Sequence, residues 1–383
     1  MTRSPEPAGG APPAGRDGTR LRLARLALRL SQHDLARAAG VTRQAVAGVE
    51  SGRWDPSLRV ALALSRALGL RVEDLFGPTS TLSTLAAIPL TKAPPSAAER
   101  VDLGQVGANL VALPLTGSSA LRAGFAPAGG VLVQPQEHNP GAWEVRPTGP
   151  LRPTLLIAGC DPALPLLAGP LGQLEPPLAL SWWPCGNREA LALAAAGLVH
   201  AAGFHVAQGR GQGISERASA ALAARGAEVI AFASWQEGLG LRAGVEASGL
   251  DEVSARRLRL VNREAGSEAR ELVEQEMRRH GLDGADVSGF DTAAGGHLLV
   301  AAALASGLGD VGVTTEPSAR AYGLGFVPLA EERFLLAVSR PLIDTTEVRA
   351  LLRVLASPGL QDQLAALPGY LDVARCGEHL ASI

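Results

Sequence analysis

Residues 30–52 read LSQHDLARAAGVTRQAVAGVESG and contain two short helical patterns separated by a glycine. Ser31 and Asp34 have the spacing of a capping box at the start of the first pattern, and Gly40 follows its last turn. Thr42 stands where an N-cap of the second pattern is expected. The stretch therefore predicts two helices joined by a tight glycine turn.

Three further helical patterns surround this stretch and complete a five-helix unit over residues 19–77. One precedes it from about residue 21, and two follow it, at 57–68 and 72–76. Residues 20–70 hold nine arginines but only three carboxylates, although the whole chain has a net charge of -2. Positive charge is thus concentrated at the front of the chain, as suits a surface that binds phosphate.

The quoted stretch and the residues up to Phe76 resemble the lambda-repressor-type helix-turn-helix family. The resemblance implies an all-α DNA-binding domain that binds operator DNA as a homodimer. It implies that Gln32 contacts phosphate, while Arg43 and Gln44 enter the major groove and read guanine and adenine. The full set of implied DNA contacts is Gln32, Thr42, Arg43, Gln44, Ser51 and Arg53. An arginine-rich bundle that binds a protein partner is the alternative.

The segments around this unit carry weaker signals. Residues 1–18 are rich in proline and glycine and are expected to be a disordered tail. Residues 78–98 have no sustained period and are expected to be a linker. Residues 99–148 contain short apolar runs between prolines and glycines, which predict a small β-rich segment of three to five strands.

From residue 150 onward, apolar strand patterns alternate with helical ones, which predicts an α/β domain to residue 383. In such sheets a ligand lies beyond the strand ends, where helix N-termini favour an anion. Three junctions fit this description: LIAGCDPAL at 156–164, WWPCGNREALALAAAG at 182–197 and VNREAGSEAR at 261–270. Alternatively, Asn187 and Ser267 only cap helices and Arg263 pairs with Glu264 or Glu268.

Residues 259–290 and 297–338 are similar to the periplasmic-binding-protein-like domain of molybdate-responsive regulators and molybdopterin-biosynthesis proteins. The resemblance implies a two-lobed type II fold with the ligand in the cleft. Lobe one is expected at about 150–206 plus 326–383, and lobe two at about 207–325.

The same resemblance implies a ligand site for a tetrahedral oxyanion. Arg263 and Ser267 have the spacing found in tungstate-type members, and relatives carry histidine at His205 and His297. Gly186-Asn187 departs from the Gly-Ser of relatives, which leaves the ligand open. The expected ligand residues are Gly159, Cys160, Gly186, Asn187, Asn262, Arg263, Ser267 and His297.

We therefore expect a one-component transcription regulator that senses a small oxyanion, molybdate, with no covalent cofactor, and controls molybdate uptake or molybdenum-cofactor genes. The alternatives are tungstate, sulfate or a small organic ligand as effector, a ligand-independent repressor, or a molybdopterin-handling protein. The sequence shows neither a catalytic motif nor metal-ligand spacing, so no enzyme and no metal site are predicted. With no apolar run of about 18 residues, no membrane partner is predicted and a cytoplasmic location is expected.

Overall fold

The chain divides into two compact units, Met1–Thr84 and Leu85–Ile383. The computed structural model describes residues 17–76, 84–91, 95–117, 126–207 and 226–382. Within these residues, no helix has the length and apolar character needed to cross a membrane. Most of the predicted tail lies outside the described residues, but its end was wrong, because the first helix already begins at Asp17.

Five helices form the described part of the N-terminal unit, as predicted. They are α1 (Asp17–Ala27), α2 (Gln32–Ala39), α3 (Arg43–Glu50), α4 (Leu58–Leu68) and α5 (Val72–Phe76). Ser31 and Asp34 form the predicted capping box of α2, and Gly40 ends the helix with a left-handed φ of 65°. The apolar faces pack around five nearly inaccessible side chains: Leu21, Leu35, Val46, Leu64 and Leu75.

A small closed barrel opens the second unit. Its strands are β1 (Leu85–Pro89), β2 (Arg100–Val106), β3 (Asn109–Pro114), β4 (Gly130–Pro135) and β5 (Trp143–Pro147), in the order β1-β3-β2-β4-β5. The prediction of three to five strands at 101–145 is confirmed, but that of a linker through residue 98 was wrong. β1 lies in that segment and closes the barrel between β3 and β5. The sequence of β1 shows no alternation of apolar and polar residues, although Ala87 is buried.

The remaining residues form the predicted α/β domain. Its first half contains β6 (Thr154–Ala158), α6 (Ala168–Gly172), β7 (Ala179–Trp183), α7 (Asn187–Ala196), β8 (Ala201–Ala207), β9 (Ala227–Leu241), α8 (Leu250–Ala255), β10 (Leu260–Arg263) and α9 (Glu268–Arg279). Its second half contains β11 (Ala293–Ala294), α10 (His297–Ala305), β12 (Val311–Thr315), α11 (Glu316–Ala321), β13 (Gly325–Ser339), α12 (Thr346–Leu355), α13 (Pro358–Ala365), β14 (Tyr370–Leu371) and β15 (His379–Ser382). The sheet order is β11-β10-β12-β9-β13-β8-β6-β7, and β14 and β15 pair with β9.

Two long strands connect the lobes of this domain. β9 and β13 each span 15 residues and pair antiparallel from end to end, with two irregularities. Up to Trp235, β9 belongs to the core of lobe one, and from Leu239 it belongs to the core of lobe two. The predicted start of lobe two at residue 207 was therefore wrong, because the uninterrupted strand β9 gave no sign of where one core ends.

The barrel packs on lobe one within the same unit. Leu90, Val106 and Val111 belong to the core cluster of lobe one. The Ser181 hydroxyl donates a hydrogen bond to Asp102, and the amide of Asn109 donates to the carbonyl of Gly197 (3.1 Å). The β-rich segment is thus part of the frame that positions lobe one.

Gly238 lies where the crossing strands approach each other closely, and a Cβ added there would lie 2.1 Å from the carbonyl oxygen of Val327. Because backbone atoms must move to relieve this contact, we expect Gly238→Ala to lower the free energy of unfolding by about 1–3 kcal/mol. Urea unfolding followed by circular dichroism measures the change. Gly359→Ala is the control, since its Cβ would meet no atom within 4 Å. Equal urea midpoints for the two variants would contradict this prediction.

Candidate functional site

A cavity of about 350 Å³ lies between lobe one and lobe two. Lobe one contributes six residues: Cys160, Pro162, Pro165, Trp182, Pro184 and Cys185. Lobe two contributes Arg263, Glu264, Tyr322 and residues 295–299. The wall is mainly apolar, with one ion pair and one histidine. This composition is typical of a pocket for a small organic molecule or ion.

The cavity lies at the ends of parallel strands. Cys160 follows β6, Pro184 follows β7, and Arg263 ends β10, whose neighbour β11 leads into α10. Gly296, with φ 113°, directs the chain into the first turn of α10 at the cavity wall. The first amides of a helix lack intrahelical acceptors and carry partial positive charge, so this end of the cavity favours an anion.

Arg263 is the buried cation of the wall, and only 2% of its surface is exposed. Its Nε and Nη2 donate to Glu264 at 2.8 and 3.0 Å, and its Nη1 lies 3.0 Å from the ring nitrogens of His297. Burial opposes the charge of Arg263, but the hydrogen bonds it donates to Glu264 and the charge of that carboxylate outweigh burial and raise the pKa of the guanidinium. The predicted alternative, that Arg263 pairs with Glu264, is present in the structure.

His297 is held in its neutral form. Burial lowers the pKa of its imidazole well below the ordinary value, and the charge of Arg263 lowers it further. A neutral ring accepts a hydrogen bond from Arg263 with one nitrogen and keeps an N–H on the other. His297 therefore orients the guanidinium at the cavity wall without adding charge.

The structure brings three of the eight predicted ligand residues to the cavity: Cys160, Arg263 and His297. Gly159 lies just behind the wall, and its carbonyl accepts a hydrogen bond from Trp182 Nε1 (2.8 Å). Gly186 is the N-cap residue of α7, beyond the wall.

The other three predicted ligand residues make structural hydrogen bonds. The Asn187 amide donates to the His205 carbonyl (2.9 Å), and the His205 N–H donates to Asn187 Oδ1 (3.0 Å). Asn262 accepts from the Arg263 N–H and donates to the Phe290 carbonyl. The Ser267 hydroxyl donates to the Glu264 carbonyl and accepts from the Arg270 N–H. None of the three lines the cavity in the structure, because sequence spacing does not reveal where a polar side chain points.

Sequence reasoning missed most of the cavity wall. Trp182, Tyr322 and the glycines before His297 were not assigned to the site. A usable signal was present at Gly295 and Gly296, since a glycine pair directly before a helix lets a ligand approach the first amides. Trp182 and Tyr322 carried no such signal, because exposed and buried aromatics look alike in a sequence.

The other histidine that matches relatives, His205, lies behind the cavity in a buried cluster. Its Nδ1 is 3.2 Å from Glu332 Oε2, and Glu237 lies beside both. Burial lowers the pKa of His205, but Cys160 and Glu332 outweigh it and raise this pKa well above the usual value. Burial raises the pKa of Glu237 to about 7. The three ionisable side chains of this cluster thus do not line the cavity.

The first turn of α3 carries the predicted base-reading residues on its surface. Arg43 and Gln44 are exposed, and Thr42 caps the helix by accepting from the Ala45 N–H (3.1 Å). Gln32 is half-buried and donates to Glu50 Oε2 (2.9 Å). Arg25 pairs with the same carboxylate through two hydrogen bonds, of 2.6 and 3.0 Å. This network fixes the start of α2 against the end of α3.

The second half of α3 is covered by an indole ring. A Cβ added at Gly48 would lie 2.0 Å from Trp54 Nε1. Ser51 is the C-cap residue and donates to the Gly48 carbonyl (3.0 Å), while Arg53 is exposed after it. In this packing a side chain at Gly48 would have to displace the ring of Trp54.

Comparisons with known proteins match a family to each of the two domains. The helix-turn-helix family matches residues 21–75, and the PBP superfamily domain matches residues 168–356. An uncharacterized HTH-type transcriptional regulator of Methanothermobacter thermautotrophicus is 46% identical over 59 residues, which are 15% of this chain and 86% of that protein. The chain therefore belongs to the helix-turn-helix regulator family, with its helix-turn-helix domain fused to a PBP superfamily domain.

Two further similar proteins match this chain at lower identity. The uncharacterized protein YvgK of Bacillus subtilis is 29% identical over 113 residues, which are 30% of this chain and 36% of YvgK. This chain thus spans about a third of the length of that relative. A putative phosphate ABC transporter substrate-binding protein of Clostridium perfringens, solved with bound phosphate, is 12% identical at a TM-score of 0.43 and covers 55% of this chain and 96% of its own.

Asn187 offers a test of its structural role. Asn187→Ala removes two hydrogen bonds to the backbone of β8, and we expect it to lower the free energy of unfolding by about 1–3 kcal/mol. Chemical denaturation of the full chain measures this loss. Gln173→Ala, at an exposed position after α6, is the control and is expected to unfold like wild type. If Asn187→Ala unfolds at the same denaturant concentration as wild type, these two hydrogen bonds contribute nothing to the stability of the fold.

Proposed function

We propose that the chain is a one-component transcription regulator that acts in the cytoplasm. In this proposal its N-terminal unit binds operator DNA as a homodimer, and the cavity between its lobes binds a small anion that changes the affinity for DNA. The observation that carries the proposal is the cavity that Arg263 and the first turn of α10 line, in the same chain as a helix-turn-helix domain.

An anion fits this cavity better than a cation or a neutral molecule does. The first turn of α10 supplies amides with partial positive charge, and Arg263 supplies a full charge. Glu264 neutralises Arg263 in the structure, and its side chain is 38% exposed. An entering anion would replace Glu264 on the guanidinium, so that binding exchanges one charge-assisted pair for another.

Molybdate, or the closely similar tungstate, is the narrower candidate that the sequence resemblance supports. The donors expected for a tetrahedral oxyanion included Asn187 and Ser267. Their polar groups make structural hydrogen bonds, so in the structure they do not offer donors to the cavity.

The wall favours a second candidate, an organic anion with an apolar part. Trp182, Tyr322 and residues 298–299 supply apolar surface that a bare oxyanion does not use. A cavity of about 350 Å³ also has the size of pockets for small organic molecules. A small carboxylate or phosphate ester would place its charge at Arg263 and its apolar part against the aromatic rings.

Binding between the lobes gives the anion a means of regulation. A ligand that contacts Arg263 in lobe two and Cys160 in lobe one favours a closed arrangement of the lobes. If that arrangement changes the affinity for DNA, then DNA must change the affinity for the anion by the same factor, typically worth about 1–3 kcal/mol.

Calorimetric titration of molybdate, tungstate, sulfate and a panel of small carboxylates and phosphate esters into the full chain tests the ligand. We expect saturable binding of one class, weakened at least tenfold in Arg263→Ala because the buried cation is lost. Ser267→Ala should keep most of the affinity, since Ser267 caps α9.

Arg270→Ala is the matched control, because Arg270 pairs with Glu274 on α9 and does not line the cavity. No heat with any anion would favour a ligand-independent repressor. An organic cofactor retained through purification would favour a molybdopterin-handling protein. Binding that Arg263→Ala leaves unchanged would refute the proposed site.

Arg43→Ala and Gln32→Ala test the DNA-binding proposal, using a DNA sequence selected from a random pool by the wild-type protein. We expect Arg43→Ala to lose about 1–3 kcal/mol on the selected site and much less on random DNA, because a base contact is removed. Gln32→Ala should weaken both by similar factors, as expected for a phosphate contact. Arg66→Ala, exposed on α4, controls for the loss of one charge. Equal losses on both DNAs for Arg43→Ala would exclude its role as a reader.

A further inference from the structure

Three buried side chains that bind metals in other proteins meet where the crossing strands pass from one lobe to the other. His205 is on β8, Glu237 on β9 and Glu332 on β13. Cα pairing places His205 opposite Phe334 and Glu237 opposite Ala330, so alternation along β13 puts all three side chains on one face of the sheet. Their ligand atoms lie within 4.8 Å of one another.

The cluster contains a buried carboxylate oxygen without a hydrogen bond. Glu237 is 1% exposed, and its Oε1 has no hydrogen-bond partner among the described residues. The nearest basic nitrogen recorded for this oxygen is Nδ1 of His297, at 3.8 Å. A buried polar atom without a partner is costly, so an oxygen left in this state points to a group that completes its environment.

We propose that His205, Glu237 and Glu332 bind one divalent transition-metal ion of the zinc class. One imidazole and two carboxylates form a nitrogen and oxygen donor set that suits Zn²⁺, Co²⁺ or Mn²⁺, and the single nitrogen disfavours Ca²⁺ and Mg²⁺. Ligands about 2.1 Å from a tetrahedral ion lie about 3.4 Å apart. The 3.2 Å between His205 Nδ1 and Glu332 Oε2 is close to that spacing.

Neighbouring side chains fix the position of His205, one of the proposed ligands. Asn187 fixes the backbone of His205 through two hydrogen bonds, and the ring of Trp235 lies 6.0 Å from the imidazole between centroids. Cys160, which also lines the cavity, interacts with His205. The charged and titratable groups facing the cluster are Cys160, Asp161, Arg263, Glu268 and His297.

The site goes beyond the proposed function, because it rests on three strands behind the cavity and requires neither an anion nor DNA. The ion would join β8 of lobe one to both crossing strands. It would thereby fix the hinge of the two-lobed domain, whichever ligand enters the cavity.

The experiment uses the full chain, treated with a chelator and then freed of it, without DNA or anion. Titration with ZnCl₂ by calorimetry and with CoCl₂ by visible absorption should show one ion per chain. Glu237→Gln should weaken the affinity at least tenfold, since a neutral amide replaces a charged ligand of similar shape. Glu331→Gln, the neighbouring carboxylate that accepts from Gln236, should bind like wild type.

The titrations use a His379→Ala background. This substitution removes the contact between exposed His379 and Glu228, a second histidine–carboxylate pair, as a competing place for the ion. Absence of Zn²⁺ or Co²⁺ binding by the wild type would overturn the proposal, as would wild-type affinity in Glu237→Gln. Should Glu237→Gln not fold, the Co²⁺ spectrum of the wild type decides. Intense bands of a four- or five-coordinate site support the proposal, and a spectrum like that of the hydrated ion overturns it.

Discussion

The continuous pairing of β9 with β13 is the constraint on which the second unit depends. Both strands run through two hydrophobic cores, so neither lobe is complete without the segment that the other lobe also uses. Their close contact at Gly238 leaves no room for a side chain. Because the lobes share two strands instead of one flexible link, their relative motion is confined to twisting or bending of this ribbon.

That constraint explains why the cavity forms where it does. The strands of both lobes end toward the same gap, and the residues after them, including Cys160, Arg263 and the first turn of α10, become its wall. A buried guanidinium in such a wall needs a partner, which Glu264 supplies in the structure. In the proposed function, an entering anion would compete with a carboxylate that is already present, and this competition would reject ligands that bind Arg263 weakly.

Sequence reasoning succeeded where structure is set by neighbouring residues. The caps at Ser31 and Thr42 and the stop at Gly40 act within a few residues, so the helices and their turn were predictable. Strand patterns likewise predicted the α/β domain, but not the point along β9 where one core gives way to the other. Ser267 fitted a ligand and a helix cap equally well, and only the direction of its hydroxyl distinguishes them. His205, Glu237 and Glu332 lie far apart in sequence, so no spacing rule links them.

The N-terminal unit shows how one packing contact limits a surface. Trp54 occupies the space that a side chain at Gly48 would need, so base contacts in the proposed DNA-binding role fall to the first turn of α3. In that proposed role, the two exposed residues of this turn, Arg43 and Gln44, would read few bases directly, and the shape and deformability of the DNA would supply the remaining selectivity. The concentration of arginine within residues 20–70 supports affinity for phosphate, whereas the rest of the chain is acidic. In the proposed function, DNA contacts therefore fall to the N-terminal unit, and the ligand binds between the lobes.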